Sequence, residues 1–288
     1  MGERYCFLIW SCKRMILTLV LGSLSGIFFI VLAVVLSTDN PMIFFNIPGL
    51  ILVAGGCFAA LFAGFPGKEI KAAFRAVKTL GHPDHLNDVQ QIDELVQFAR
   101  DYSRNDIRKI EARLHQHINP FLAMGMQMII AKLPVADVAG TMAWRIKRLK
   151  AREQAEARIF HSLSAYAPAF GMVGTLLGLV NMMLVLDAKS LDLMGGHLAI
   201  ALVTTFYGLL LSNLFFKPVA TKLERRTEKR LLHMSLILEG ITLIGLGRSP
   251  AFIRESLYSF VTHFDDELGA RHAAKPAIDS ESAHATLP

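Results

Sequence analysis

The sequence predicts an all-α integral membrane protein with four transmembrane helices arranged as two hairpins. Of its 288 residues, 53% are hydrophobic and only 19% are charged, whereas soluble domains carry about 25% charged residues. The apolar residues collect in four stretches, and nearly all the positive charges lie on one side of them. A helical cytoplasmic domain is predicted between the second and third spans, and an amphipathic helix after the fourth.

Each of the four stretches is long enough to cross a bilayer, which takes about 20 apolar residues. They cover approximately residues 15–36, 47–65, 169–186 and 198–216. None has Asp, Glu, Lys or Arg in its interior. One such charge at a helix centre costs about 2.5–3.5 kcal/mol on insertion, so their absence favours true spans over buried core helices.

These spans divide the chain into six predicted segments. They are an N-terminal cytoplasmic segment (1–14), a first hairpin (15–65), a cytoplasmic helical domain (66–158), a second hairpin (159–217), C-terminal cytoplasmic helices (218–261) and a disordered tail (262–288).

The charges predict the orientation. Residues 66–158 carry 16 Lys and Arg, the chain from Lys217 onward carries ten, and the segment before the first span carries three. Lys189, between the last two spans, is the single exception among the 30 cations. The positive-inside rule therefore places both termini and the large loop in the cytoplasm. The net charge of +6 is explained by topology and requires no nucleic acid.

The cytoplasmic segments have helical patterns. Residues 93–117 and 134–158 show apolar residues at three- and four-residue spacing, with breaks at 81–83 and 119–120. The charged residues 222–230 lead into the apolar residues 231–246, which predicts an amphipathic helix ending at 247–250. Residues 251–261 predict a short final helix.

The sequence contains no recognisable enzyme site. The histidine pairs His82/His85 and His115/His117 are too sparse for a metal centre, and residues two apart in a helix do not share a face. A phosphate-binding loop is excluded in the third span, since no Lys follows its glycines. We therefore expect no enzymatic activity, no metal and no cofactor.

Small and hydroxylated residues recur in the last two spans. Gly171, Gly174 and Gly178 lie at helical spacing, which indicates close helix packing. In the fourth span, Gly208 shares a face with Thr204 and Ser212, with Thr205 beside them. These hydroxyls either join helices or help a cation to lose its water.

The four spans contain no carboxylate. A protein driven by ion flow normally needs an intramembrane acid as the ion carrier. Either this chain conducts nothing, or a partner helix supplies the acid and this chain supplies the wall of the pathway.

Several runs resemble the MotA/PomA family of flagellar stator subunits. YAPAFGMVGTLLGL at residues 166–179 is similar to the family's third transmembrane helix, and ALVTTFYG at 201–208 with FKPVA at 216–220 is similar to its fourth. LEG at 238–240 and GRSP at 247–250 match the C-terminal pattern. The resemblance covers about residues 16–261.

The resemblance implies the partners and several residue roles. The partner would be a MotB/PomB-type subunit with one span, an intramembrane Asp and a peptidoglycan-binding domain, enclosed by a pentameric ring of this chain. Pro168 and Pro218 match prolines that couple ion binding to motion, although a proline can also simply kink a helix.

Arg104 and Glu111 best match the family's torque residues, which contact the rotor switch protein, with one residue fewer between them. Arg100 competes with Arg104 for the first role. If the region is one helix, Arg104, Arg108 and Glu111 share a face, and a simple intrahelical ion pair explains them equally well.

Thr175, Thr204 and Thr205 resemble the sodium-driven branch of the family, and hard cations prefer oxygen ligands. Asn46 opposes this, since PomA-type sequences carry an acid there. We predict a stator subunit that conducts sodium in preference to protons. The alternatives are an ExbB/TolQ-type energiser, which has one span before the large loop, and a membrane scaffold.

Overall fold

A computed structural model of the chain describes residues 3–38, 41–80, 88–114, 119–184 and 191–273, and these residues form helices without a strand. The all-α fold class is confirmed. In chain order the helices are α1 (Glu3–Ser37), a 3-10 turn (Pro41–Phe44), α2 (Ile47–Gly64), α3 (Gly67–Thr79), α4 (Asp88–Ser103), α5 (Ile107–Leu114), α6 (Pro120–Ile130), α7 (Val135–Leu184), α8 (Leu191–Leu210), a π-helical stretch (Leu211–Phe216), α9 (Lys217–Gly245) and α10 (Pro250–Ala273).

Four helical regions of the described chain are long and apolar enough to cross a membrane. They are Val20–Ser37, Ile47–Gly64, the apolar end of α7, and the apolar start of the helical run Met194–Gly245. The four predicted spans therefore correspond to helices. The third span is continuous with the preceding polar helical segment, since α7 runs from Val135 to Leu184 and accommodates Pro168 in its interior.

The chain divides into two compact units, Met1–Asp84 with Lys150–Glu228 (unit 1), and His85–Leu149 with Lys229–Pro288 (unit 2). Residues 66–158, taken as one domain in the sequence prediction, are thus shared between the units. Helix α3 belongs to unit 1. It begins after Pro66, directly beyond the second apolar helix, and buries Ile70 and Ala73 in the unit 1 core.

Unit 1 has one buried cluster, formed by α2, α3, α7 and α9. Its buried residues are Val53, Cys57, Leu61, Ile70, Ala73, Leu80, Ala157, Ile159, Phe160, Leu163, Ala167, Ala220 and Leu223. Helix α2 also packs on α8.

Unit 2 has a separate cluster, whose largest fully buried side chains include Phe98, Leu122, Met126, Met142 and Leu236. Helix α10 packs on α4, and Arg254 donates to Asp93 at 3.1 Å between them. Glycine permits one close approach in this core, since a Cβ at Gly240 would lie 2.7 Å from the Leu95 side chain.

The helical pattern predicted over residues 93–117 forms two helices in the described residues. Helix α4 ends at Ser103 and α5 begins at Ile107. Asn105 lies between them with φ of 57°, the left-handed region that Asn tolerates better than most residues. The Asn105 N–H donates to the Tyr102 carbonyl at 2.9 Å and closes the turn. Arg104 therefore does not share a helix face with Arg108 and Glu111.

Helix α9 ends next to the predicted break at residues 247–250, whereas the last helix extends further than predicted. Helix α9 ends at Gly245, and the Gly247 N–H, at φ of 70°, donates to the Ile244 carbonyl at 2.9 Å. Helix α10 continues past residue 261 to Ala273, into the segment predicted to be disordered, because its sequence is rich in the helix formers Glu, Leu, Ala and Arg.

Glu94 on α4 makes stability depend on pH. Burial raises the pKa of its carboxyl, while a hydrogen bond from Gln91 and the charges of Arg113 and His233 lower it less. A carboxyl with a raised folded pKa stabilises the fold fully below its unfolded pKa, and this contribution is lost as pH rises through the folded pKa. We expect the thermal unfolding midpoint of Glu94→Gln to fall less than that of the wild type as pH rises from the acid range to neutrality.

The control for this measurement is Glu255→Gln, which removes an exposed carboxylate from α10. The full chain in detergent is followed at a series of pH values. If wild type and Glu94→Gln give parallel curves, burial of Glu94 does not govern the pH response.

Candidate functional site

Helices α7 and α8 approach each other closely along the predicted glycine stripe. A Cβ at Gly171 would lie 3.0 Å from the Thr205 Cα, and one at Gly178 would lie 3.0 Å from the Ala201 Cα. A Cβ at Gly174 would lie 2.5 Å from the Thr204 Cβ. At distances this short the neighbouring atoms would have to move, so the glycines let the two helices meet this closely.

Gly208 extends this contact from the α8 side. A Cβ at Gly208 would overlap the Ala167 carbonyl oxygen and lie 3.2 Å from the Pro168 Cα. Gly208 is thus the residue that lets α8 pass against the proline of α7.

The Gly171 carbonyl brings two of the predicted threonines together. Thr205 Oγ1 donates to it at 3.2 Å, and Thr204 Oγ1 lies 3.4 Å from it while donating to the Ala201 carbonyl at 2.7 Å. Thr204 is buried, and its methyl group faces Gly49 of α2. Thr205 is only half-buried, so the arrangement leaves part of it accessible at the helix surface.

Thr175 differs from the other two threonines. Its hydroxyl donates to the Met172 carbonyl of its own helix at 2.7 Å, and the side chain is half-buried. It lies one turn from Gly171, beside the stripe. The described chain therefore offers two partly accessible hydroxyls in this region, Thr175 on α7 and Thr205 on α8.

Both predicted prolines lie inside helical segments. Pro168 lies within α7, and Pro218 lies at the second residue of α9, directly after the π-helical stretch. Each removes one backbone N–H from a helix that otherwise continues.

Sequence reasoning missed the role of Tyr207. Its hydroxyl accepts from the Asn46 N–H at 2.8 Å and donates to the Phe44 carbonyl. The Asn46 side chain in turn caps α2 by accepting from the Gly49 N–H at 2.9 Å. The connection between α1 and α2 is thereby attached to α8 next to Thr204, although no spacing in the sequence links residues 44–46 with residue 207.

The residues matched to a rotor contact lie in unit 2. Arg104 is exposed in the turn after α4, and Glu111 is exposed on α5. Within the described residues, neither forms an ion pair, so the intrahelical pair considered as an alternative is not present there. Arg100, the competitor, is exposed in the last turn of α4.

A partly exposed polar contact joins α4 to α5. Arg113 Nη1 donates to Gln97 Oε1 at 2.7 Å, and its Nε lies 3.5 Å from Asp101 Oδ2. Asp101 is 9% exposed, and its backbone carbonyl accepts from the Asp106 N–H at 3.0 Å. This contact links the two helices on either side of the turn that contains Arg104, and sequence reasoning missed it.

Metal binding finds no support in the described chain, where no three His, Cys, Asp or Glu residues cluster. The two histidine pairs considered above, His82/His85 and His115/His117, lie outside the described residues.

Comparison with known proteins gives consistent matches. Residues 113–235 match the model of the MotA/TolQ/ExbB proton channel family. Motility protein A of Aquifex aeolicus is 30% identical over 241 residues, which cover 81% of this chain and 93% of that protein. The chemotaxis protein PomA of Vibrio alginolyticus is 28% identical over 253 residues, covering 85% and 95%.

The fold also matches a solved structure. One chain of the structure of C. jejuni MotAB superposes with a TM-score of 0.76 at 22% identity, covering 85% of this chain and 95% of that one. At this identity the likeness establishes the shared fold.

Gly208 provides a test of the α7–α8 contact. Gly208→Ala places a methyl group against the backbone of Ala167 and Pro168, and overpacking of this kind costs about 1–3 kcal/mol. We expect a lower thermal unfolding midpoint of the full chain in detergent. Gly55→Ala on α2 is the matched control, because a Cβ there meets no atom within 4 Å. Equal midpoints for the two variants would contradict the close contact.

Proposed function

This chain belongs to the family of motility protein A, and on that premise we propose that it couples cation flow across the inner membrane to torque on a flagellar rotor. Its family is one of flagellar motor stators and ion channels, not of enzymes. In this proposal sodium is favoured over protons, and a MotB/PomB-type subunit completes the pathway.

The observation that carries the proposal is the threonine pair at the Gly171 carbonyl, in apolar spans that contain no Asp or Glu. Hydroxyl oxygens can replace part of the hydration shell of a hard cation. They cannot carry its charge, which requires a carboxylate. We propose that the partner's intramembrane Asp faces the partly accessible Thr175 and Thr205, while the buried Thr204, which donates to the Ala201 carbonyl, packs beside the Gly171 carbonyl.

The assembly follows from the same argument. One chain lines only one side of the proposed ion pathway. We therefore propose that several copies surround the partner helix, in the pentameric ring that the family resemblance implies. In this proposal both termini and unit 2 lie in the cytoplasm. There the exposed Arg104 and Glu111 contact the rotor switch protein. Pro168 and Pro218 couple ion binding in the membrane helices to motion of the cytoplasmic part.

The ExbB/TolQ-type alternative is less well supported. That arrangement has a single span before the large cytoplasmic segment, whereas this chain has two apolar helices there, Val20–Ser37 and Ile47–Gly64. This chain also matches motility protein A of Aquifex aeolicus and the chemotaxis protein PomA over most of their length.

Swimming speed tests the ion pathway. We expect speed to fall when external sodium is removed at constant membrane potential, and Thr205→Val to reduce it further because the variant keeps the shape and loses the oxygen. Thr205→Ser should retain most of the speed. One hydroxyl hydrogen bond in a membrane contributes about 0.6–2 kcal/mol, so a severalfold loss is expected for Thr205→Val.

The control is Thr221→Val, whose hydroxyl donates to Lys217 of its own helix and is exposed. Speed independent of sodium would reject the sodium assignment. Normal swimming of Thr205→Val, with filaments assembled, would reject the threonine pathway itself.

Glu111 tests the rotor contact. Because its carboxylate is exposed and unpaired within the described residues, Glu111→Lys should leave the unfolding midpoint nearly unchanged and reduce swimming. A compensating charge reversal on the rotor should restore part of it. Glu255→Lys, an equally exposed reversal on α10, should swim normally. Full swimming of Glu111→Lys in every rotor background would reject the rotor contact and show that Glu111 is an ordinary solvent-exposed residue.

A further inference from the structure

The two prolines leave two backbone carbonyls without their helical partners. A proline at position i cannot donate to the carbonyl of residue i−4. Pro168 therefore leaves the Ser164 carbonyl free, and Pro218 leaves the Leu214 carbonyl free of its α-helical bond. Unsatisfied carbonyls are costly in and near a membrane, where water cannot replace the missing donor.

A serine from another segment occupies the first of these carbonyls. Ser212 Oγ donates to the Ser164 carbonyl oxygen at 2.6 Å, and Ser212 is 6% exposed. It belongs to the π-helical stretch, whose wider step is seen in the Lys217 N–H donating to the Ser212 carbonyl five residues earlier. Gly208, one turn before Ser212, brings the two helices close enough for this bond.

A second serine occupies the other carbonyl. Ser23 Oγ of α1 donates to the Leu214 carbonyl oxygen at 2.9 Å. Gly26, one turn further along α1, meets the Leu214 side chain so closely that a Cβ there would lie 2.7 Å from Leu214 Cδ2. The same small-residue contact and hydroxyl donor thus recur at both prolines.

We propose that Ser212 and Ser23 are positioning residues for Pro168 and Pro218, each supplying from a neighbouring segment the hydrogen bond that the proline removes. The bonds link α7 to the π-helical stretch and that stretch to α1. A helix that shifts at either proline breaks the serine hydrogen bond and leaves a carbonyl unsatisfied. Intermediate positions are therefore costly, and the helix at each proline occupies discrete positions. The bonds stand independently of the proposed function, whereas their part in coupling rests on it.

A double-mutant cycle tests the first bond. Pro168→Ala restores the N–H, which can then donate to the Ser164 carbonyl. We expect Ser212→Ala to lower the unfolding midpoint of the full chain in detergent by about 2 °C with proline present, and by much less with Pro168→Ala. Equal shifts in both backgrounds would overturn the proposal.

Matched variants separate this bond from general packing. Ser164→Ala removes a nearby hydroxyl that donates to the His161 carbonyl of its own helix and leaves the Ser164 carbonyl intact. Its effect should be the same in both backgrounds. Ser212→Thr keeps the donor and should restore the midpoint, and failure of this variant to do so would count against the hydroxyl as the active group.

A second cycle keeps the proposal testable if Pro168→Ala does not fold. Ser23→Ala should lower the midpoint with Pro218 present and much less with Pro218→Ala, while the exposed Ser25→Ala serves as control. Independence of Ser23 and Pro218 would overturn the second assignment.

Swimming separates the bonds from their role. We expect Ser212→Ala to reduce swimming severalfold and Ser212→Thr to restore it. If the stability effects of Ser212→Ala and Pro168→Ala are not additive, but Ser212→Ala swims normally, the positioning role is overturned. Normal swimming of Pro168→Ala would instead contradict the proposed function of the proline, while the stability cycle would still decide whether Ser212 occupies the Ser164 carbonyl.

Discussion

The arrangement of unit 1 depends on the backbone contact between α7 and α8. Gly171, Gly174 and Gly178 on one helix and Gly208 on the other leave no room for a Cβ. In lipid, helices are held together mainly by such packing and by interhelical hydrogen bonds, since burial of apolar surface adds little there. The threonine bonds to Gly171 and the serine bond to Ser164 all form across this contact, so its closeness determines which polar groups can meet.

The same contact explains why the chain presents hydroxyls without an acid. Every hydroxyl described in it donates to a backbone carbonyl, as Thr175, Thr205 and Ser212 do. Such groups can be buried in an apolar environment because they are satisfied there. A permanent carboxylate would be costly without a counter-ion. In the proposed assembly the hydroxylated wall and the carrier acid belong to two different proteins.

Much of this architecture could be predicted from residue patterns, because membrane spans impose long charge-free runs and glycine stripes reflect close packing. The four apolar helices and the contact of Gly171 with α8 follow from those patterns. The break at Asn105 could not, since one permissive residue in a helical pattern is a weak signal. The pairing of Ser212 with Ser164 also could not, because it depends on a π-helical stretch and on contacts between distant residues.

The turn at Asn105 has a consequence for how this corner can vary between relatives. In a continuous helix, deleting one residue rotates everything after it by about 100°, which would turn Glu111 to a different side. Here α4 ends at Ser103 and α5 begins at Ile107, so the chain leaves the helix between them. A turn can change length while α4 and α5 keep their own packing through Asp101 and Arg113. Length variation at this corner is thereby compatible with a constant exposed face on α5.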